Sequence, residues 1–450
     1  VFRSSLLVLS LSFLVLRFLF LTMKECILHY IWQYKLFAQH DLYTTDGQSV
    51  EVIDVGKPNI HAGPDFFNAK IKIGKTIWAG NVEIHNLASD WNRHAHQGNK
   101  NYGNVILHVV KKADVPVFRS DGQKIPQLEL NYAEDIEQNY QALLATAKWI
   151  ACEDKLKDIA HIYIHAWKHV LMAERMEQKV KEIDDLLQKT KGHWEEAFFL
   201  VLCKHFGFSV NNDAFFRLAT STSWQIVRKC SSDLFQLEAL LFGQSGLLHG
   251  TITNDDYICS LKREYEFLKR KFKLQPMDNL QWRLLRLRPD NFPHIRIAQL
   301  AALLFTRENL FSYVVNNQEV EALAQLFNTA EVSDYWQSHY LLGGETHVPK
   351  PKKMGQSSVC GLLINVVVPM LFCYGEHKQI QELKDRALRL LDKLPPENNH
   401  ITRKWKVMGM EINSASDSQA FIHLYKNYCE EKKCLRCRMG HQILAKTRVD

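Results

Sequence analysis

Residues 61–110 read HAGPDFFNAKIKIGKTIWAGNVEIHNLASDWNRHAHQGNKNYGNVILHVV. The stretch carries Pro64-Asp65, Glu83-Ile84-His85, Asp90-Trp91, His94, His96 and His108 on a background patterned like β-strands. In TIWAGNVEIH, strand alternation puts Val82 and Ile84 on one face and Asn81, Glu83 and His85 on the other. Upstream, Ala69, Ile71 and Ile73 alternate with Lys70 and Lys72, which predicts a second strand opening just after Asp65. Gly74-Lys75 is a short turn, so the two strands should pair as a hairpin. That pairing brings Asp65 and Glu83 to one end. Two carboxylates and a nitrogen base on adjacent strands make a hard-cation site, of the kind that holds Mg²⁺ and activates a water.

Working outward, Ile27, Leu28, Ile31, Trp32, Tyr34 and Leu36 cover more than one face of a helix expected over 25–37, suited to lying against a sheet. Asp46-Gly47 supplies a turn before a strand at 50–55. After the hairpin come a short helical piece over 94–102 and a strand over 104–110. Paired histidines near carboxylates, as at His94 and His96, can bind Zn²⁺ or Mn²⁺; they can equally contact phosphate or cap the next helix. His108 lies inside an apolar run and reads as a buried, hydrogen-bonded histidine.

The spacing of Pro64-Asp65 and Glu83-Ile84-His85 resembles the PD-(D/E)XK nuclease superfamily, whose motif is Pro-Asp, a spacer, then Glu-x-Lys on the next strand. The resemblance implies an α-β-β-β-α-β core, with Asp65 and Glu83 as ligands of Mg²⁺ or Mn²⁺ and DNA or RNA as substrate. His85 stands at the lysine position and is expected to orient the water or stabilise charge on the phosphate. Members often carry a further carboxylate on the first helix; Glu25 is the candidate there, with Glu51 on the following strand as its rival. The longer wording, GPDFFNAKIKIG through WAGNVEIH to NVILHVV, also resembles a bacterial family known as domain of unknown function 2851, over a span expected to run from Met23 to the C-terminus.

At 450 residues the chain has length for two or three domains with real cores. Its 46% apolar and 23% charged residues are those of an ordinary globular protein. Net charge is +7 with histidine neutral, and setting aside the first 22 residues, which carry Arg3 and Arg17, leaves +5. A mildly basic surface permits nucleic-acid binding without demanding it. Ten cysteines without secreted-type spacing read as reduced thiols. The opening VFRSSLLVLSLSFLVLRFLFLT is apolar, but Arg17 interrupts it and no small-residue cleavage site follows. Residues 1–22 are therefore expected to be upstream translation or a leader, with Met23 as the start of a cytoplasmic protein that does not enter a membrane.

From Ala133 the pattern turns helical. Trp167 to Leu187 marks one long helix, Trp194 to Leu202 another stopped by Gly207, and Leu234–Phe242 a third expected to end at Gly243. Arg283, Arg286, Arg288 and Arg296 sit among large apolar residues, where arginine suits bidentate phosphate contact or buried carboxylate pairing. Arg283 and Arg286, with His94 and His96, are the expected nucleic-acid contacts. PKPKKMGQSS, over 349–358, is expected to be a flexible basic loop, and GLLINVVVPMLFCYG a kinked buried helix too short and broken to span a membrane.

The tail carries Cys429-x4-Cys434-x2-Cys437, with His441 four residues on. Thiolates at this spacing can share Zn²⁺ or an iron–sulfur cluster, with Cys152 or His441 as the fourth ligand. The reading is thus an α+β chain: a nuclease-like domain over 23–132, a helical domain over 133–428 and a cysteine-rich tail over 429–450. The expected activity is metal-dependent phosphodiester hydrolysis. A nucleic-acid-binding or assembly protein that keeps the fold without catalysis is the alternative, and a metal-dependent hydrolase of another small substrate a third.

Overall fold

The computed structural model describes residues 25–445, apart from residue 60, residues 250–253, residue 329 and residue 347. The expected leader and the Met23 start lie outside the described residues. The chain falls into two compact units: the residues up to Tyr163 together with those from Asn427 onward, and Ile164–Lys426. The division comes later than the change of composition at Ala133, and the cysteine tail belongs with the first unit.

In the first unit, helix α1 (25–33) ends where Lys35 adopts a left-handed conformation (φ +51°), short of the expected Phe37. Strands β1 (Leu42–Tyr43), β2 (Ser49–Asp54), β3 (Lys57–Pro58), β4 (Phe66–Ile73) and β5 (Thr76–Leu87) follow. Then come α2 (Asp90–Arg93), two single 3-10 turns (His96–Gly98 and Lys100–Tyr102), β6 (Val105–Lys112), β7 (Gln127–Glu129) and α3 (Glu134–Ala145). One seven-stranded sheet runs β1-β2-β4-β5-β6-β7, with β3 paired to β4. It is antiparallel from β1 to β5 and parallel from β5 to β7. A parallel pair needs a crossover, and α2 with its two turns supplies it.

The hairpin forms as its sequence predicts: Ile73 faces Thr76 across Gly74-Lys75. Its alternation is interrupted. The first four residues of β5 are exposed, whereas Gly80 to Asn86 are buried on both faces, because β6 joins there. Glu83 and His85 therefore lie inside the fold and not on an open face. Gly80 is required at that junction, since a Cβ would lie 2.4 Å from Ile106 Cγ2 and 2.8 Å from the Asn104 carbonyl. On β4, a bulge between Phe66 and Ala69 puts Asn68 at φ +57°, three residues after Asp65.

The second unit is built of helices: α4 (His161–Lys189, entering it at Ile164), α5 (Trp194–Phe206), α6 (Asn212–Ser221), α7 (Trp224–Cys230), α8 (Leu234–Gln244), α9 (Asp256–Phe272), α10 (Pro293–Thr306), α11 (Leu310–Asn316), α12 (Val320–Asn328) and α13 (Asp334–Ser338). A small hairpin, β8 (His339–Leu341) with β9 (Gly344–Glu345), interrupts them before α14 (Gln356–Leu362), α15 (Val368–Lys378), α16 (Gln381–Lys393), α17 (His400–Val407) and α18 (Ala415–Leu424). Gly243 does not stop α8. A Cβ there would lie 2.0 Å from the Tyr265 ring, so this glycine lets α9 pack closely. The apolar run is longer than expected. A π turn at Leu363–Val367 joins α14 to α15 in a 23-residue helix that would pass for a membrane span by length and composition, yet 72% of its most apolar 18-residue stretch is buried inside the fold. Asn365 Nδ2 donates to the Gly361 carbonyl at 3.0 Å, and the widened turn precedes Pro369, which has no amide to give. The chain returns to the first unit through Cys434–Arg436 and α19 (Arg438–Leu444).

Candidate metal centre

At the point where β4 and β5 meet β6, each carboxylate of the motif is anchored by the other strand. Glu83 Oε2 accepts from the Asp65 amide at 3.1 Å, and Asp65 Oδ2 accepts from the Ile84 amide at 2.9 Å. Around them stand imidazoles. His96 Nε2 is 3.1 Å and His85 Nε2 3.6 Å from Glu83 Oε1. His85 Nε2 also lies 3.2 Å from His94 Nδ1, and His85 Nδ1 lies 2.8 Å from His108 Nε2 on β6. His85, His94 and His96 each offer a ring nitrogen within 4.8 Å of the other two.

The crossover aims the last two. Ala95 sits in the left-handed region (φ +58°, ψ +31°), costing about 1 kcal/mol or more for a residue with a Cβ, and this bend turns His94 and His96 toward one point. Trp91 is fully buried beneath them, 5.4 Å from the His96 ring and 5.5 Å from that of His108, and its Nε1 donates to the Phe118 carbonyl. Tyr102 stacks on His96 at 3.9 Å.

Helix α1 adds two groups one turn apart. Glu25 Oε1 is 3.9 Å from His85 Nε2, and His29 Nε2 is 3.3 Å from Asp65 Oδ2. Glu25, and not Glu51, is thus the third carboxylate; Glu51 is exposed and faces Lys72. His29 escaped the reading of the sequence, although its spacing of four from Glu25 was the available signal.

Burial and then the neighbouring Asp65 charge push the Glu83 carboxyl up to about 10, so it holds a proton at neutral pH unless a cation displaces it. Burial holds His85 far below the usual imidazole range, helped by His108, His94 and His96, and brings His96 down to about 4 and His108 to about 3. Burial also raises Glu25 to about 7. His29 goes the other way: its hydrogen bond to Asp65 and the charges of Asp65 and Glu25 overcome its burial and raise it. Neutral imidazoles offer lone pairs to a metal; His85 therefore cannot reproduce the permanent cation of a lysine. This donor set, carboxylate with three imidazoles, suits Mn²⁺ or Zn²⁺ better than Mg²⁺.

Elsewhere in the first unit, Cys152, Cys429, Cys434 and Cys437 lie within electrostatic reach of one another. Burial, then Cys437 and Cys434, push the Cys152 thiol up to about 12. Burial followed by Cys437, Cys152 and Cys434 raises Cys429, and burial with Cys437 takes Cys434 to about 11. His441 is engaged otherwise: its Nδ1 is 2.8 Å from the Tyr30 hydroxyl and its ring 4.4 Å from that of Tyr34. Of the two candidates for a fourth member, Cys152 lies close enough to the tail cysteines to raise and be raised by them. Arg283 and Arg286 belong to the second unit, on an exposed loop pinned by two hydrogen bonds between the Asn211 side chain and the Arg283 backbone. Arg296 is buried and spent on Gln299, Asn291 and Ser358.

Residues 25–400 match the family model described as Protein of unknown function (DUF2851), a span that reaches into both units and stops short of Cys429, where the wording of the sequence suggested a run to the C-terminus. Neither a curated protein nor a solved structure matches the chain.

Proposed function

The chain belongs to the DUF2851 family of unknown function, and we propose that its first unit is a metal-dependent nuclease hydrolysing phosphodiester bonds of DNA or RNA. The observation that carries the reading is the convergence of Glu83, cross-tied to Asp65, with His85, His94 and His96 at the junction of an antiparallel hairpin with a parallel strand. The order α1-β2-β4-β5-α2-β6 supports a PD-(D/E)XK-like core around them.

In this reading Asp65 and Glu83, with His85, His94 and His96, hold Mn²⁺ or Mg²⁺. A bound divalent ion would lower the pKa of a water enough for attack on phosphorus. His85 is a ligand or water-orienting base. Its Nδ1 is fixed by His108, which sets the tautomer that Nε2 presents. Glu25 is placed to take up or return a proton near neutral pH, beside His29, which Asp65 and Glu25 hold above its ordinary range. The four cysteines are read as holding zinc or an iron–sulfur cluster. A binding protein that keeps this fold without catalysis is the second reading, favoured by the neutral His85 at the lysine position.

The test is cleavage of labelled single- and double-stranded DNA and RNA with Mg²⁺ or Mn²⁺, beside Glu83→Ala. The enzyme reading expects Glu83→Ala to abolish turnover while leaving binding intact or slightly tighter, since a metal ligand is removed but none of the expected nucleic-acid contacts is. Arg283→Ala and Arg286→Ala should weaken binding and flatten its salt dependence, by about 0.9 in logarithmic slope for each phosphate that is no longer neutralised. Binding without cleavage under any divalent cation would leave the second reading. Neither binding nor cleavage would remove the nucleic-acid assignment altogether.

A further inference from the structure

Two helices of the second unit bring a carboxylate, a thiol and an imidazole to one point. Asp184 lies in the last turns of α4, while Cys373 and His377 are one turn apart on α15 and so share a face. Cys373 Sγ is 3.6 Å and His377 Nε2 2.6 Å from the same oxygen, Asp184 Oδ1, and the three donor atoms all lie within 4.8 Å of one another. This is not a nucleophile–base–carboxylate relay. In such a relay the imidazole stands between the other two groups; here the carboxylate does, and Cys373 is fully buried.

The chemistry is that of a metal cage. A thiolate, an imidazole and a carboxylate are the donors that Zn²⁺ takes, whereas Mg²⁺ and Ca²⁺ call for oxygen alone. The inner wall is aromatic: Trp194 of α5 meets the His377 ring edge-on at 5.4 Å and Tyr374 at 4.8 Å. The outer side is open, with the His377 and Asp184 side chains 45% and 38% exposed, which leaves a fourth position for water.

We propose that Asp184, Cys373 and His377 form a Zn²⁺ site, closed by one water, that staples α4 to α15. The ion takes the place of the two hydrogen bonds to Asp184, and the thiol proton leaves to solvent as the sulfur–metal bond forms, so binding weakens as pH falls. Because Asp184 and Cys373 are 189 residues apart in sequence, the staple closes a long loop and raises the stability of the second unit by mass action.

Co²⁺ serves as the probe. In the full chain carrying Ser at Cys152, Cys429, Cys434 and Cys437, stripped of metal, one equivalent of Co²⁺ should bind with a thiolate-to-cobalt charge-transfer band. Cys373→Ser should abolish that band, and His377→Ala should weaken binding by at least about tenfold. In the otherwise unaltered chain, where folding is not at issue, His377→Ala should lower the zinc retained after dialysis by one equivalent. A thiolate band that survives Cys373→Ser, the absence of any band, or a zinc content that His377→Ala leaves unchanged overturns the proposal.

Discussion

Asp65 and Glu83 are cross-tied: the side chain of Glu83 holds the backbone of Asp65, and the side chain of Asp65 holds the backbone beside Glu83, at Ile84. Neither carboxylate can move without loosening the strand that carries the other. The hairpin therefore positions both before any ion arrives, which is the condition for a metal site that binds without reorganisation.

The same closeness sets a pH dependence. Glu83 is raised to about 10 in the folded protein from an ordinary 4.5, so its contribution to stability is complete below the unfolded value and is lost as pH rises toward 10. His96, lowered to about 4, acts oppositely: its contribution is present above 6.5 and lost as pH falls. With a chelator present, the wild type should therefore lose stability steadily as pH rises above the ordinary carboxylate range on account of Glu83. Glu83→Gln should remove that loss and be the more stable protein at pH 8. Thermal melts across this window check it, and parallel curves for the two proteins would refute the buried carboxyl. Saturating Mn²⁺ should reverse the ranking, because only the wild type keeps the ligand.

Metal preference follows from the three imidazoles. The wild type should bind Mn²⁺ and Zn²⁺ more tightly than Mg²⁺, since nitrogen donors favour the softer ions. The double change His94→Asn with His96→Asn should cost at least about tenfold in Mn²⁺ affinity and much less in Mg²⁺ affinity, as read by calorimetry. Equal losses for both ions would mean that the histidines shape the site without binding metal.

Two glycines test the packing. Gly80→Ala forces a Cβ against Ile106 and the Asn104 carbonyl, and Gly243→Ala forces one into the Tyr265 ring. Each should destabilise by about 1–3 kcal/mol, the usual cost of overpacking. Gly98→Ala, which would meet nothing within 4 Å, is the control and should change stability little. Denaturant melts decide it, and a Gly243→Ala protein as stable as wild type would return that glycine to the role of a helix stop.

These contrasts show why parts of the molecule were readable in the chain. Asp65, Glu83 and His85 were legible because period-two alternation and a two-residue turn fix which residues of a hairpin meet. His94 and His96 were visible as donors, but their target depends on the left-handed Ala95, which no residue type announces. His29 was hidden because its meaning depends on α1 docking against β4, a contact between distant segments. Gly243 was misread since a glycine after an apolar helix signals a stop and a close approach alike. Arg283 and Arg286 fold into the other unit, and composition carries no information about which unit a basic cluster joins.

The cysteine set gives the last prediction. Cys152 comes from the stretch after α3 and the other three from the end of the chain, so four largely buried thiols sit together, each disfavouring a thiolate on its neighbours. A bound ion would change that balance, because thiolate ligation lowers the thiol pKa values that burial and mutual repulsion raise. Anaerobically purified protein should then contain zinc or iron in near-stoichiometric amount in addition to the zinc at Asp184, Cys373 and His377, and Cys152→Ser should lose that additional metal together with several degrees of thermal stability. His441→Ala should keep the metal, because His441 is already bonded to Tyr30 and lies against Tyr34. Elemental analysis of the three proteins separates the cases. Metal lost in His441→Ala but kept in Cys152→Ser would make the histidine the fourth ligand, and metal-free, fully folded wild type would return all four cysteines to reduced core thiols.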